Sequence, residues 1–132
     1  MKAEGKKQNE EVKDLRIRTK EFALGIIRMY SALPKTTEAQ VIGKQVLRSG
    51  TSVGANYREA FRARSKAEFI SIVGISLKDA EETAYWLELL EDAGIVSATK
   101  LVEIRVEIDE LIAIMVTTIK TARTNLKGEV LK

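Results

Sequence analysis

The chain has 132 residues, enough for one domain, with 45% hydrophobic and 31% charged residues and a formal net charge of +3. It has no cysteine and no histidine, which excludes a disulfide framework, an ordinary structural zinc site and any nucleophile that needs a histidine base. So small a positive excess does not by itself mark a nucleic-acid binder, and a single proline among many Ala, Leu, Ile, Glu, Lys and Arg residues favours helix.

Residues 1–10 are polar and aperiodic and read as a mobile tail, without the apolar core of a secretory signal. A first helix is expected over residues 11–32. Val12, Leu15, Phe22, Ile26, Met29 and Leu33 recur there at threes and fours, and Pro34 stops it. Thr37 with Gln40 has capping-box spacing and opens a second helix, 38–63. Ser65 with Glu68 repeats the pattern and opens a third, 66–92, which Gly94 closes in the left-handed cap conformation. Ser97 caps a fourth, 98–126, with acids early and bases late as the macrodipole prefers; Gly128 ends it and leaves a tail at 129–132. No segment alternates like a strand, and short links make successive helices antiparallel. Residues 11–128 therefore read as one all-α domain, an up-down-up-down antiparallel four-helix bundle. The longest uncharged apolar runs, "FISIVGISL" and "LIAIMVTTI", are about half of the ~20 residues that a bilayer requires. A soluble cytoplasmic protein with no membrane partner is expected.

Helix two has the most informative surface. Lys44, Arg48, Arg58 and Arg62 share one face with Thr51 and Ala55, and Arg64 and Lys66 extend this basic stripe across the following link. Residues 37–64 carry five basic and two acidic side chains, whereas residues 66–92 carry two basic and seven acidic. The stripe can be a solvated face, a partner for acids on helix three or another subunit, or a contact for a polyanion. Gly43, Gly50 and Gly54 lie along one flank with Leu47 and Phe61. Each interior glycine costs about 1 kcal/mol relative to alanine, which close approach of a neighbouring helix would offset; a kink near Gly50 is the alternative. The spacing fits neither phosphate-loop pattern.

Helix three is apolar on two sides. Ile70, Val73, Leu77, Ala80, Ala84 and Leu87 form a heptad seam, and Ile72, Ile75, Trp86 and Leu89 form a second. A lone bundle buries one side, so the second seam, with Tyr85, is expected to be an oligomer interface; deeper burial in a monomeric core is the other reading. Asp79, Glu81 and Glu82 crowd the middle of this helix, but bundle di-iron sites need histidine. No metal, cofactor or small-molecule substrate is expected, and no acid, base and nucleophile set marks an enzyme.

The stretch from "QVLRSGTSVGAN" through Glu59, the link "RSKAEF" and "EETAYWLELL" closely resembles the bacterial four-helix-bundle family of 23S rRNA intervening-sequence, or S23-type, proteins. The resemblance is densest over residues 45–95. Asn56 and Glu59 match the family motif, while Arg58 stands where many relatives have alanine. Relatives include the accessory protein of diversity-generating retroelements. The resemblance implies an antiparallel bundle assembling as a homopentameric ring, nucleic-acid binding through basic surfaces and no enzymatic activity. Lys44, Arg48, Arg58, Arg62, Arg64 and Lys66 are then the expected contacts to RNA or DNA phosphates. The rival expectation is a protein-interaction scaffold with no nucleic-acid role.

Overall fold

The computed structural model describes the backbone of residues 2–131 and the side chains of residues 15–128. Four helices follow one another: α1 (Lys2–Ser31), α2 (Thr37–Glu59), α3 (Lys66–Asp92) and α4 (Ala98–Leu131), with a 3₁₀ turn (Ala60–Arg62) tightening the end of α2. No strand occurs among the described residues. Each helix packs on the next and α4 returns to α1, leaving α1 opposite α3 and α2 opposite α4 across the bundle. Neighbours are antiparallel: Gly43 faces Leu33 while Gly54 faces Thr19, and Asn56 meets Asp79 while Ser49 meets Thr83.

The ends of the helices differ from the sequence reading in four places. Helical backbone continues through residues 2–10, where a tail is expected; Ala3, Glu4, Lys6, Lys7, Gln8 and Glu10 are good helix formers that need no buried face to propagate one. The cap of α2 is Thr36, not Thr37. Its hydroxyl accepts from the Ala39 amide at 3.4 Å, and Gln40 reaches back to donate to the Pro34 carbonyl at 2.9 Å. The end of α2 tightens into the 3₁₀ turn, so α2 stops at Glu59 and not at residue 63. Helix α4 runs on through Gly128 to Leu131, because that glycine does not take up positive φ. The other caps lie where expected. Ser65 accepts from the Glu68 amide at 3.1 Å. Gly94 has φ +70°, with Ile95 N–H donating to the Leu90 carbonyl and Gly94 N–H to that of Glu91, the paired bonds of a Schellman motif.

The core collects the anticipated faces. Leu15, Phe22 and Ile26 of α1 and Leu33 of the link that follows are buried with Ala39, Val46, Val53 and Tyr57 of α2, and Leu101, Ile108, Leu111, Met115 and Ile119 of α4 complete the interior. Met29 and Ile42 are half-buried, and Val12 lies outside the described side chains. On α3 the fully buried line is Val73, Ser76, Ala80, Thr83, Leu87 and Leu90, so Ser76 and Thr83 displace Leu77 and Ala84 from the centre of the expected seam. Both hydroxyls are satisfied. Ser76 donates to the Val53 carbonyl at 2.7 Å, and Thr83 bonds to Ser49 at 2.8 Å, whose own hydroxyl donates to the Gln45 carbonyl at 2.9 Å. Small hydroxylated residues let α2 and α3 approach closely without stranding a buried polar group.

The opposite flank of α2 is close to α1. A Cβ added at Gly43 would lie 2.5 Å from Leu33 Cδ1, at Gly50 2.9 Å from Ile26 Cγ1, and at Gly54 2.9 Å from Thr19 Oγ1. Helix α2 is unbroken through these glycines. Dispersion attraction between the closely packed helices offsets the weaker helix propensity.

Candidate nucleic-acid interface

Because α2 stays helical through Gly54, its outer face presents Lys44, Arg48 and Arg58 to solvent, with Arg62 in the 3₁₀ turn that continues it, Arg64 in the link and Lys66 opening α3. These cations are not equivalent. Arg48 hydrogen-bonds Glu82 of α3 at 2.6 Å and Gln45 at 3.0 Å, the pairing with acidic α3 anticipated as one reading of the stripe. Lys66 also has an interaction of its own. Lys44, Arg58, Arg62 and Arg64 form no ion pair among the described residues.

The tertiary structure adds members that helix two alone does not reveal. Close packing at Gly54 brings Lys20 of α1 beside Ala55 and Arg58, lining one groove with Thr19 and Thr51. One turn toward the start of α1, Arg16 and Ile17 join Arg58, Phe61 and Arg62 around a cleft of about 460 Å³. The Arg16 guanidinium lies 4.3 Å over the Phe61 ring, and Tyr57 meets the same ring edge-on at 5.5 Å. Arg16 and Lys20 flank the buried Thr19 on α1 at a spacing of four, and that is the local signal for them; which side of α2 they would meet depends on the register between helices.

Other arginines are structural clasps. Arg18 joins α1 to α4 through Glu107 at 2.6 Å and Glu110 at 2.8 Å, and Arg105 joins α4 to α3 through Glu91 at 2.8 Å. The hydrogen bond to Glu107 pushes the Arg18 guanidinium above its ordinary value, and that to Glu91 does the same for Arg105. The family-motif Asn56 is a clasp of the same kind, donating from Nδ2 to Asp79 Oδ2 at 2.6 Å, while Glu59 is exposed at the end of α2. Asp79 and Glu82 are thus engaged, and no three acidic side chains among the described residues converge to hold a metal ion.

On α3, Ile75 and Tyr85 are exposed while Ile72, Trp86 and Leu89 are half-buried. Trp86 also packs against the core, edge-on to Tyr85 at 5.1 Å, and its Nε1–H is buried with no acceptor among the described residues. The second seam is therefore partly core and partly surface. Among the described residues no helix is long and apolar enough to cross a membrane.

Burial pushes the Tyr57 phenol above its ordinary value, and the nearby Arg16 charge opposes this only in part. The folded state then keeps its proton at a pH where the unfolded chain has released it. That contribution is complete below the unfolded value of about 10 and is lost as pH rises through the folded one. Tyr57→Phe should accordingly lose less stability than the native chain as pH rises through the unfolded value of about 10, measured as the shift in urea midpoint. Equal losses in the two proteins would mean that this phenol titrates normally.

Three comparisons bear on kinship. The sequence profile described as 23S rRNA-intervening sequence protein matches residues 13–117. A crystal structure from Bacteroides thetaiotaomicron, of a protein with unknown function from the S23 ribosomal protein family, aligns with TM-score 0.76 and 40% identity, covering 80% of this chain and 98% of that one. No curated protein matches the chain closely enough to count as a relative. The profile covers the α2–α3 pair that carries the motif residues and reaches into both outer helices, and so the chain belongs to the 23S rRNA-intervening sequence protein family.

Proposed function

We propose that this chain is a non-enzymatic, self-assembling bundle that binds RNA or DNA through phosphate contacts on its α1–α2 side. One observation carries the reading. Arg16, Lys20, Lys44, Arg58 and Arg62 lie exposed on that side without an ion pair among the described residues, while acids dominate α3. Unneutralised cations on one face attract a polyanion, and phosphate contacts give affinity without reading base sequence. Arg48 contributes less than its position suggests, because Glu82 already neutralises it.

Self-assembly fits the two diagonal helices. Leu24 and Ile27 of α1 are exposed beside Arg28; on α3 Tyr85 is exposed beside Glu81 and Glu88, and Ile75 is exposed with Lys78 between it and Tyr85, so that acids outnumber bases on this strip. Apolar surface with opposite charge at opposite corners suits a head-to-tail contact, which closes into a ring when the rotation permits. Five copies is the number that the family resemblance implies. A ring would multiply the modest charge of one chain and add avidity.

The Arg48–Glu82 pair and the exposed apolar residues favour a second reading, a scaffold for protein partners. Salt separates the two. If about four phosphates are contacted, affinity for a generic RNA or DNA duplex should fall roughly 100-fold between about 50 and 200 mM salt. Failure to bind either duplex at the lower salt would remove the nucleic-acid reading and leave the scaffold.

A further inference from the structure

Three arginines from α1, α2 and the 3₁₀ turn line one concavity. Arg16 comes from α1, Arg58 from the last turn of α2 and Arg62 from the 3₁₀ turn, and Ile17 and Phe61 complete the walls of the cleft of about 460 Å³. Arg18, Arg48 and Arg105 each have a carboxylate partner, whereas these three have none among the described residues. Like charges gathered without a counter-ion repel one another, and a bound anion relieves that repulsion. Arg16 is also held in position. Its guanidinium rests over Phe61, which the buried Tyr57, four residues earlier, meets edge-on. A side chain held this way loses less freedom when it binds a ligand.

The convergence bears on which anion. A phosphodiester inside a strand has one charge and two unesterified oxygens, so a row of separate cations serves it well. A phosphate monoester has about −1.5 to −2 charge at neutral pH and three acceptor oxygens. Planar arginine forks gathered in one cleft, Arg58 and Arg62 a turn apart and Arg16 from the neighbouring helix, match the second better. Beside them, Ile17 is 56% and Phe61 49% exposed, and the Phe61 ring offers an aromatic surface on which a base can stack. The cleft volume falls in the range of roughly 300–1,000 Å³ typical of small-ligand sites.

We infer that this cleft receives the terminal phosphate monoester of a nucleic-acid strand, with the end nucleoside against Phe61 and Ile17. The inference rests on the nucleic-acid reading above and adds to it a preference for strand ends over strand interiors. Arg16, Arg58 and Arg62 hold the phosphate; Phe61 contacts the end nucleoside and also positions Arg16.

The test uses the full chain and one short single-stranded oligonucleotide in three forms: 5′-phosphorylated, 3′-phosphorylated, and with hydroxyls at both ends. Free AMP is the mononucleotide control. At fixed salt, one phosphorylated form should bind about tenfold tighter than the hydroxyl form. Arg16→Gln and Arg58→Gln, both at exposed positions, should erase that advantage while circular dichroism reports an intact fold. Phe61→Ala should reduce the advantage and Phe61→Trp should retain it, an outcome that loss of packing alone would not produce. Equal affinity for all three oligonucleotides overturns the inference and leaves the backbone-contact reading standing. Binding of AMP with no preference among strand ends overturns it in favour of a free nucleotide. No binding of any oligonucleotide at low salt overturns both the inference and the reading beneath it.

Discussion

Gly54→Leu is expected to cost about 3 kcal/mol or more, a large share of the roughly 5–15 kcal/mol that holds an ordinary domain folded. The Cβ alone would lie 2.9 Å from Thr19 Oγ1, 3.1 Å from Thr19 Cβ and 3.4 Å from the Thr19 backbone carbon. A side-chain tip can swing away; a helix backbone cannot do so without dragging Leu15 and Phe22 out of the core. Gly54→Ala sets two effects against each other. Alanine improves helix propensity by about 1 kcal/mol, while overpacking costs about 1–3 kcal/mol, so a net loss is expected. Gly74 supplies the control. Nothing lies within 4 Å of a Cβ there and its φ is not positive, so Gly74→Ala should gain up to about 1 kcal/mol. Urea midpoints of the three variants measure both signs. A Gly54→Ala protein as stable as the native chain would mean that α1 and α2 are not locked together at this point.

The second large effect concerns binding. Arg58→Glu combined with Arg62→Glu should lower affinity for an RNA or DNA duplex more than about 100-fold at ~50 mM salt, since two attractive contacts become repulsive. Neutral Arg58→Gln with Arg62→Gln should reduce the slope of log affinity against log salt by about 1.8. Both arginines are exposed and free of ion pairs among the described residues, so the fold should survive. Arg48→Gln should matter less, because Glu82 already occupies that guanidinium. Filter binding over a range of salt concentrations reads all three. Equal effects at Arg48 and at the Arg58–Arg62 pair would indicate a diffuse field in place of a defined contact. Unchanged affinity in the charge-reversed protein would place binding on another face.

Periodicity within each segment determined where the helices lie and which side of each is buried. Ile26, Val46, Val53 and Leu87 are all interior, as their spacing requires, since side chains three and four apart share a face whatever the partner. Caps are local too, and Ser65 and Gly94 carry out theirs as read, whereas Thr36 and Thr37 offer the same chemistry one residue apart and only the packing of Leu33 and Ala39 separates them. What sequence alone leaves open is how the segments register against one another. The close fit of Gly50 on Ile26 and Gly54 on Thr19 sets the slide of α1 along α2, and that slide brings Arg16 to Arg58 and Phe61 across some forty residues of chain. The match of Ser49 to Thr83 does the same for α2 and α3, turning Arg48 toward Glu82 and out of the free stripe. Helices and faces are encoded over a few neighbouring residues; the cleft exists only where two such segments, each complete in itself, are brought together by the tertiary packing.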